Sequence, residues 1–347
     1  MAVGLIADAD WRRRTELADD ALAMARRLGD RITLARVLCL RALARWDPHT
    51  LGDHDADLRE AWQLVEQLGQ PPIAWNAAVA RTKHALVTSP PIEAERLAFV
   101  AYELGRRAGQ PDADIWFLGA IFAARFLQGT LDGGQPNLAL LFEQPGSAPQ
   151  AGPEITPSRS IPLLVSTAKS VILCELDRTD EARMHLDILA EALDDLPRDY
   201  STLPILAHAA IACAHLGDAE RAAQLRALLE PHADQFVNTG GSWFGAVTHL
   251  LALLHATGDA TEDADRRFAA AERAYRRLGA GAWLARCRLD WATALLSRGQ
   301  AGALRQADGL LDDVLETARE LDLPAIGMRA TRLRSAVRGT SGAGLGA

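Results

Sequence analysis

The chain of 347 residues is predicted to fold as an all-α, right-handed solenoid of about seven helical hairpins. Three observations predict it. Helix-ending turns recur at a fixed interval, the apolar residues between them fall at helical spacing, and Ala, Leu and Arg dominate a composition with only 5% aromatic residues. Alanine and straight-chain residues lose little rotamer freedom in a helix, so this composition favours helix over strand.

In the first third, helices are expected to end on the segments RRLGD, EQLGQ and RRAGQ, whose glycines Gly29, Gly69 and Gly109 are 40 residues apart at both steps. Each glycine suits the left-handed position just past a helix, and at two of the three an arginine in the last turn suits the negative end of the helix dipole. A related turn recurs later in ELDRTDEA, HLGDAERA, ATGDATEDA and SRGQAGALRQA. Its aligned positions, Asp177, Gly217, Gly258 and Gly299, are spaced 40, 41 and 41 residues apart. A repeat of this length holds one pair of helices, and such pairs bury their apolar faces only by stacking.

Helices are expected over 10–28, 33–46, 54–69, 72–88, 91–109 and 112–129, then 161–176, 178–194, 201–216, 218–230, 243–257, 260–278, 281–298, 301–321 and 324–336. In the helix over 281–298, Leu284, Cys287, Trp291 and Leu295 fall at i, i+3, i+7 and i+11, one face. Ala264, Phe268 and Ala271 do the same on the preceding helix, small residues admitting a neighbour and Phe filling the gap. Prolines at 145, 149, 153, 157 and 162 forbid a continuous helix, so residues 143–162 read as a loop between repeats 1–142 and 163–336. The Gly/Ser-rich tail, 337–347, is expected to be disordered. By repeat phase, 10–28 is the second helix of a pair and 324–336 lacks a partner, as in the terminal arm of a larger ancestor. Burial of Leu5 and Ile6 in an ordered, capped end would count against that origin.

Binding phosphates needs a basic face, and the net charge of −8 argues against one without excluding a local basic patch, so direct nucleic-acid binding is not expected. Cys39, Cys174, Cys213 and Cys287 are scattered in apolar runs without a Cys-x-x-Cys pair, as reduced buried thiols would be. The start, MAVGLIADADWRRR, is unlike a signal peptide, and the longest apolar stretches are too short to span a bilayer. A cytoplasmic protein without membrane contact is the expectation.

The run from GDAERAAQLRALLEPHADQFVNTGGSWFGAVTHLLALLHATGD through ALRQADGLLDDVLETARELDLPAI closely resembles the C-terminal tetratricopeptide-like arm of large signalling ATPases. These include MalT/LuxR-type transcriptional regulators and adenylate or guanylate cyclases fused to an ATPase. ALAMARRLGDRITLARVLCLRALARWDPHTL resembles earlier repeats of the same arm. The resemblance implies a tetratricopeptide-like solenoid that senses or docks a partner while other domains act. No phosphate-binding loop is present: the one Lys-Ser pair, Lys169-Ser170, follows PLLVSTA, which has no glycine. No helix-turn-helix follows the last repeat either. The ATPase and output activities are therefore not expected here.

Candidate sites are few. Asp53, Asp55 and Asp57 stand at calcium-loop spacing, but Leu58 and Leu64 occupy the positions that need glycine and glutamate, so a turn and helix cap is favoured. His208 and His215 share a helical face without the further ligands that zinc requires, and His249 and His255 read the same way, as packing residues. No metal, cofactor or catalytic residue is assigned. Trp75, Trp116, Trp243 and Trp283 all fall shortly after a turn, at the start of helices that line the concave side. They are packing residues first and possible grips for a peptide or small ligand second. In NTGGSWFG, Gly240 and Gly241 could bring backbone amides close to a bound group. The expected function is non-catalytic recognition of a protein partner or small effector in bacterial signalling or transcriptional regulation. The alternatives are an enzyme with its site in the concave groove, or a remnant arm with no independent role.

Overall fold

The computed structural model describes residues 11–44, 51–133, 136, 138, 160–196, 199–238, 241–258 and 260–343. Among these, fifteen α-helices account for nearly all regular structure. They are α1 (Trp11–Leu28), α2 (Arg31–Ala44), α3 (Leu51–Leu68), α4 (Pro71–Thr88), α5 (Pro91–Arg107), α6 (Ala113–Gln128), α7 (Ser160–Glu175) and α8 (Thr179–Ala190). There follow α9 (Thr202–Leu216), α10 (Ala219–Leu229), α11 (Val247–Thr257), α12 (Thr261–Arg277), α13 (Gly281–Arg298), α14 (Ala301–Glu320) and α15 (Pro324–Ala343). The expected all-α class and the helix order are observed.

The repeat turns are the expected ones. Gly29, Gly69 and Gly109 have φ of 71°, 61° and 64°, and Gly217 and Gly299 have 68° and 66°. Asp177 holds the same left-handed turn at φ 57° without being glycine, a conformation Asp tolerates better than most side chains. Gly258 is the exception, with φ −99°. Starts are as local: Pro71 and Pro91 occupy first helical positions, where no N–H is needed. Asp218 caps α10 by accepting from the Arg221 backbone N–H at 3.0 Å.

Three expectations need correction. The segment 236–246, partly assigned to a helix from residue 243, is a two-stranded antiparallel hairpin, β1 (Phe236–Asn238) and β2 (Trp243–Ala246). Phe, Val and Trp favour extended backbone. Gly245, at φ 89°, also lets the strand pass where a Cβ would lie 2.8 Å from the Tyr275 hydroxyl. Trp243 is therefore a strand residue, not a helix-start residue. Second, the loop bound at 162 overlaps α7, which begins at Ser160, one residue before the expected helix start at 161, because Pro162 is tolerated in a first helical turn. Third, α15 runs to Ala343, into the expected tail: glycine and serine weaken a helix but no proline stops this one. The rest of the loop, residues 143–159, lies outside the described residues, as do 344–347, Leu5 and Ile6.

The decisive feature is closure. Inner helices α4 and α6 pack on α13, and α6 also meets α15. The N–H of Trp283 in α13 donates to Leu86 O in α4 at 3.0 Å. Fully buried Lys83 donates to Leu43 O at 2.7 Å and to Asn238 Oδ1 at 3.0 Å, tying α4 to α2 and to the hairpin. One continuous apolar core runs from Ala85 to Val337, so helices on both sides of residues 143–159 share it. All four cysteines are buried and free, and burial pushes the thiols of Cys39, Cys174 and Cys213 up to about 12. No described helix is long and apolar enough to cross a membrane.

Candidate functional site

The closed array leaves an internal cavity of about 240 Å³ between α6, α7, α9, α11, α13, α15 and β2. Helix α13 supplies one continuous stripe of its wall. Trp283, Arg286, Asp290 and Thr293, at i, i+3, i+7 and i+10, share a face distinct from that of Leu284, Cys287, Trp291 and Leu295. Phe126 from α6 and Phe244 from β2 complete an aromatic side, with ring centroids 6.3 and 5.5 Å from that of Trp283. Glu175 of α7, His215 of α9, His249 of α11 and Arg329 of α15 add to the cavity's polar lining. His215 is exposed and Arg329 half-exposed, which marks their side as the mouth.

The polar groups hold one another loosely. Arg286 lies 3.4 Å from Glu175 and 3.3 Å from Asp290, and Arg329 lies 3.6 Å from Glu175. His249 Nε2 is 3.2 Å from Asp290 Oδ2, in ion-pair contact but outside good hydrogen-bond geometry. Elsewhere, Arg125–Glu95 and Arg288–Glu272 close to 2.8 Å. The Arg286 guanidinium also sits 4.3 Å over the Phe126 ring, a cation–π contact that fixes its plane.

Burial here works against charge, and the neighbours reverse it. Burial alone would raise the Asp290 carboxyl; Arg286 and His249 bring it down to about 2. Arg286 loses solvation, yet Asp290 and Glu175 raise it above its ordinary value. Behind the wall, the Ala246 N–H donates to the Tyr275 oxygen at 2.8 Å. That leaves the Tyr275 proton to go to His249 Nδ1, 3.2 Å away, with His249 Nε2 turned toward Asp290. Burial pushes the Tyr275 hydroxyl well above the usual phenol range, so it stays a donor. The chain Tyr275–His249–Asp290–Arg286–Glu175–Arg329 runs from behind the wall to the mouth, and its members from His249 onward line the cavity.

Of the described tryptophans and glycines singled out as possible grips, only Trp283 borders this cavity, whereas His215 and His249, expected to be packing residues, border it as well. Trp75 is buried against Trp116, ring centroids 5.3 Å apart, and these two with Gly241 border a crevice of about 10 Å³, no more than a water's room. Gly241 does allow a close approach, but by protein: a Cβ there would lie 3.0 Å from Trp116 O. Trp243 is fully buried against Phe236, Tyr275 and Trp283. Gly240 lies outside the described residues. His208 packs edge-on against Phe122 and Phe244, and burial lowers it to about 3. The acidic run forms no calcium loop, since it lies within α3 and Asp57 is buried against Arg41 at 2.6 Å. Arg286 and Asp290 were the missed signal: an i, i+4 ion pair on the same face as a tryptophan, inside a helix packed on nearly every side.

No family model matches the chain, and no curated protein matches its sequence. The class is set by the architecture: an all-α helical-repeat protein whose array closes around a polar internal cavity.

Proposed function

We propose that this chain is a non-catalytic recognition module whose ligand is a small molecule held in the internal cavity, a sensor arm in bacterial signalling or transcriptional control. The supporting observation is the loosely paired Glu175–Arg286–Asp290–Arg329 set facing Phe126, Phe244 and Trp283. Groups already ordered, yet 3.3–3.6 Å from their partners, can exchange them for a ligand's polar atoms at little reorganisation cost. The small effector is favoured over a protein partner because the concave side is filled by the hairpin and the opposite repeats. The cavity, about 240 Å³, lies below the roughly 300–1,000 Å³ that drug-sized ligands occupy, so the occupant is compact.

Two cations and two carboxylates face an aromatic wall, which fits a zwitterion with an apolar body, the size of an amino acid. The test is calorimetric titration with an aromatic amino acid, its decarboxylated amine and its deaminated acid. The zwitterion should bind best, and Arg329→Ala at the mouth should weaken it about tenfold or more while leaving the ligand-free melting temperature nearly unchanged. Failure of all three to bind, or binding indifferent to Arg329→Ala, would remove the cavity as the recognition site.

A further inference from the structure

A second concavity, sharing no lining residue with the first, is bordered by α3, α4 and the start of α5. Helices α3 and α4 flank an open groove of about 800 Å³ bordered by Asp55, Arg59, Trp62, Arg81, His84 and Glu93. Beside it, His54 and Asp55 of α3 meet His84 of α4, and one ligating atom from each lies within 4.8 Å of the others. We propose that His54, Asp55 and His84 form a binding site for one divalent first-row transition-metal ion of the Zn²⁺ type.

The donor set is right for such an ion: two imidazoles and a carboxylate, with a remaining position open to the groove for water or a ligand. His54 Nε2 lies 2.7 Å from Ala42 O. A carbonyl only accepts, so Nε2 carries the proton and Nδ1 presents its lone pair. Support of one ring nitrogen by a backbone carbonyl is how metal-bound histidines are commonly oriented. His84 Nε2 lies 3.1 Å from Asp55 Oδ1, close to the roughly 3.3 Å that separates two ligands on a tetrahedral ion with 2.0–2.1 Å bonds. The His54 and His84 rings are stacked, with centroids 5.1 Å apart and 19° between planes. Loading therefore tilts the two rings away from this stacking, and His84 is the less buried of the two.

Charge nearby is mixed. Arg41 is held by Asp57 at 2.6 Å and Asp19 at 2.8 Å, and Lys83 by Leu43 O and Asn238, so neither cation points at the site as a free charge. Their presence, and a set of only three protein ligands, place the expected affinity in the micromolar range rather than that of a closed structural zinc site.

The test is titration of the full chain, first freed of metal with a chelator, with Zn²⁺ against a chromophoric competitor. Co²⁺ absorption then reports the ligand type. One equivalent should bind, and His84→Gln and Asp55→Asn should each weaken binding about tenfold or more. Circular dichroism melts in chelator should be unchanged by either substitution, which separates lost ligation from lost folding. His232→Gln, far along the chain, should bind as wild type does. A folded wild-type chain that takes up no Zn²⁺ would overturn the proposal, as would uptake that survives both His84→Gln and Asp55→Asn.

Discussion

The indole N–H of Trp283 donates to the backbone carbonyl of Leu86 at 3.0 Å, across 197 positions of sequence. This bond, inside the closure between α4 and α13, ties an early repeat of the array to a late one. Trp283→Phe keeps an aromatic filler but leaves the buried carbonyl of Leu86 without this donor, and should cost about 1–3 kcal/mol. Trp283→Ala also opens a hole and should cost about 3–5 kcal/mol. Urea denaturation measures both, and near-equal stabilities would show that the bond contributes nothing.

Gly245 and Gly279 separate backbone strain from close packing. Both have positive φ, 89° and 63°, but a Cβ at Gly279 meets nothing within 4 Å, whereas one at Gly245 would lie 2.8 Å from the Tyr275 hydroxyl and 3.1 Å from Trp283. Gly279→Ala should lose roughly 1–2 kcal/mol from backbone strain alone. Gly245→Ala should lose distinctly more and shift tryptophan fluorescence, because Trp283 must move. Equal melting temperatures for the two variants would contradict the packing.

His208 should make the fold acid-sensitive. Burial lowers it from 6.5 to about 3, so between these values the unfolded chain binds a proton that the folded chain refuses. Stability is thus complete above pH 6.5 and declines as pH falls toward 3, by up to about 1.4 kcal/mol per pH unit from this group. His54, lowered to about 3 chiefly by burial, adds a slope of the same sign. Chemical denaturation at stepped pH should show His208→Leu with a shallower decline than wild type over that window. An unchanged slope would mean His208 titrates normally.

The thiols offer a direct check on burial. Cys39, Cys174, Cys213 and Cys287 are all buried, and desolvation holds each thiol in its protonated, unreactive form. A disulfide reagent should label none in the native state at pH 8 and all four in denaturant. Fast labelling of one native thiol would locate an opening of the core.

Sequence by itself determined what is local and periodic. Gly29, Gly69, Gly109, Gly217 and Gly299 close their helices because a left-handed turn has an energetic preference any window of sequence carries. The apolar face of Leu284, Cys287, Trp291 and Leu295 was legible for the same reason. The hairpin at 236–246 was not, since strands of three and four residues hold too few side chains to display a period. Tertiary structure alone decided the closure and the cavity. Trp283 finds Leu86, Lys83 finds Asn238, and Glu175, His249, Asp290 and Arg329 converge from four different helices. Such meetings depend on the small rotation each hairpin adds to the last, summed over the array, and no single repeat encodes that sum.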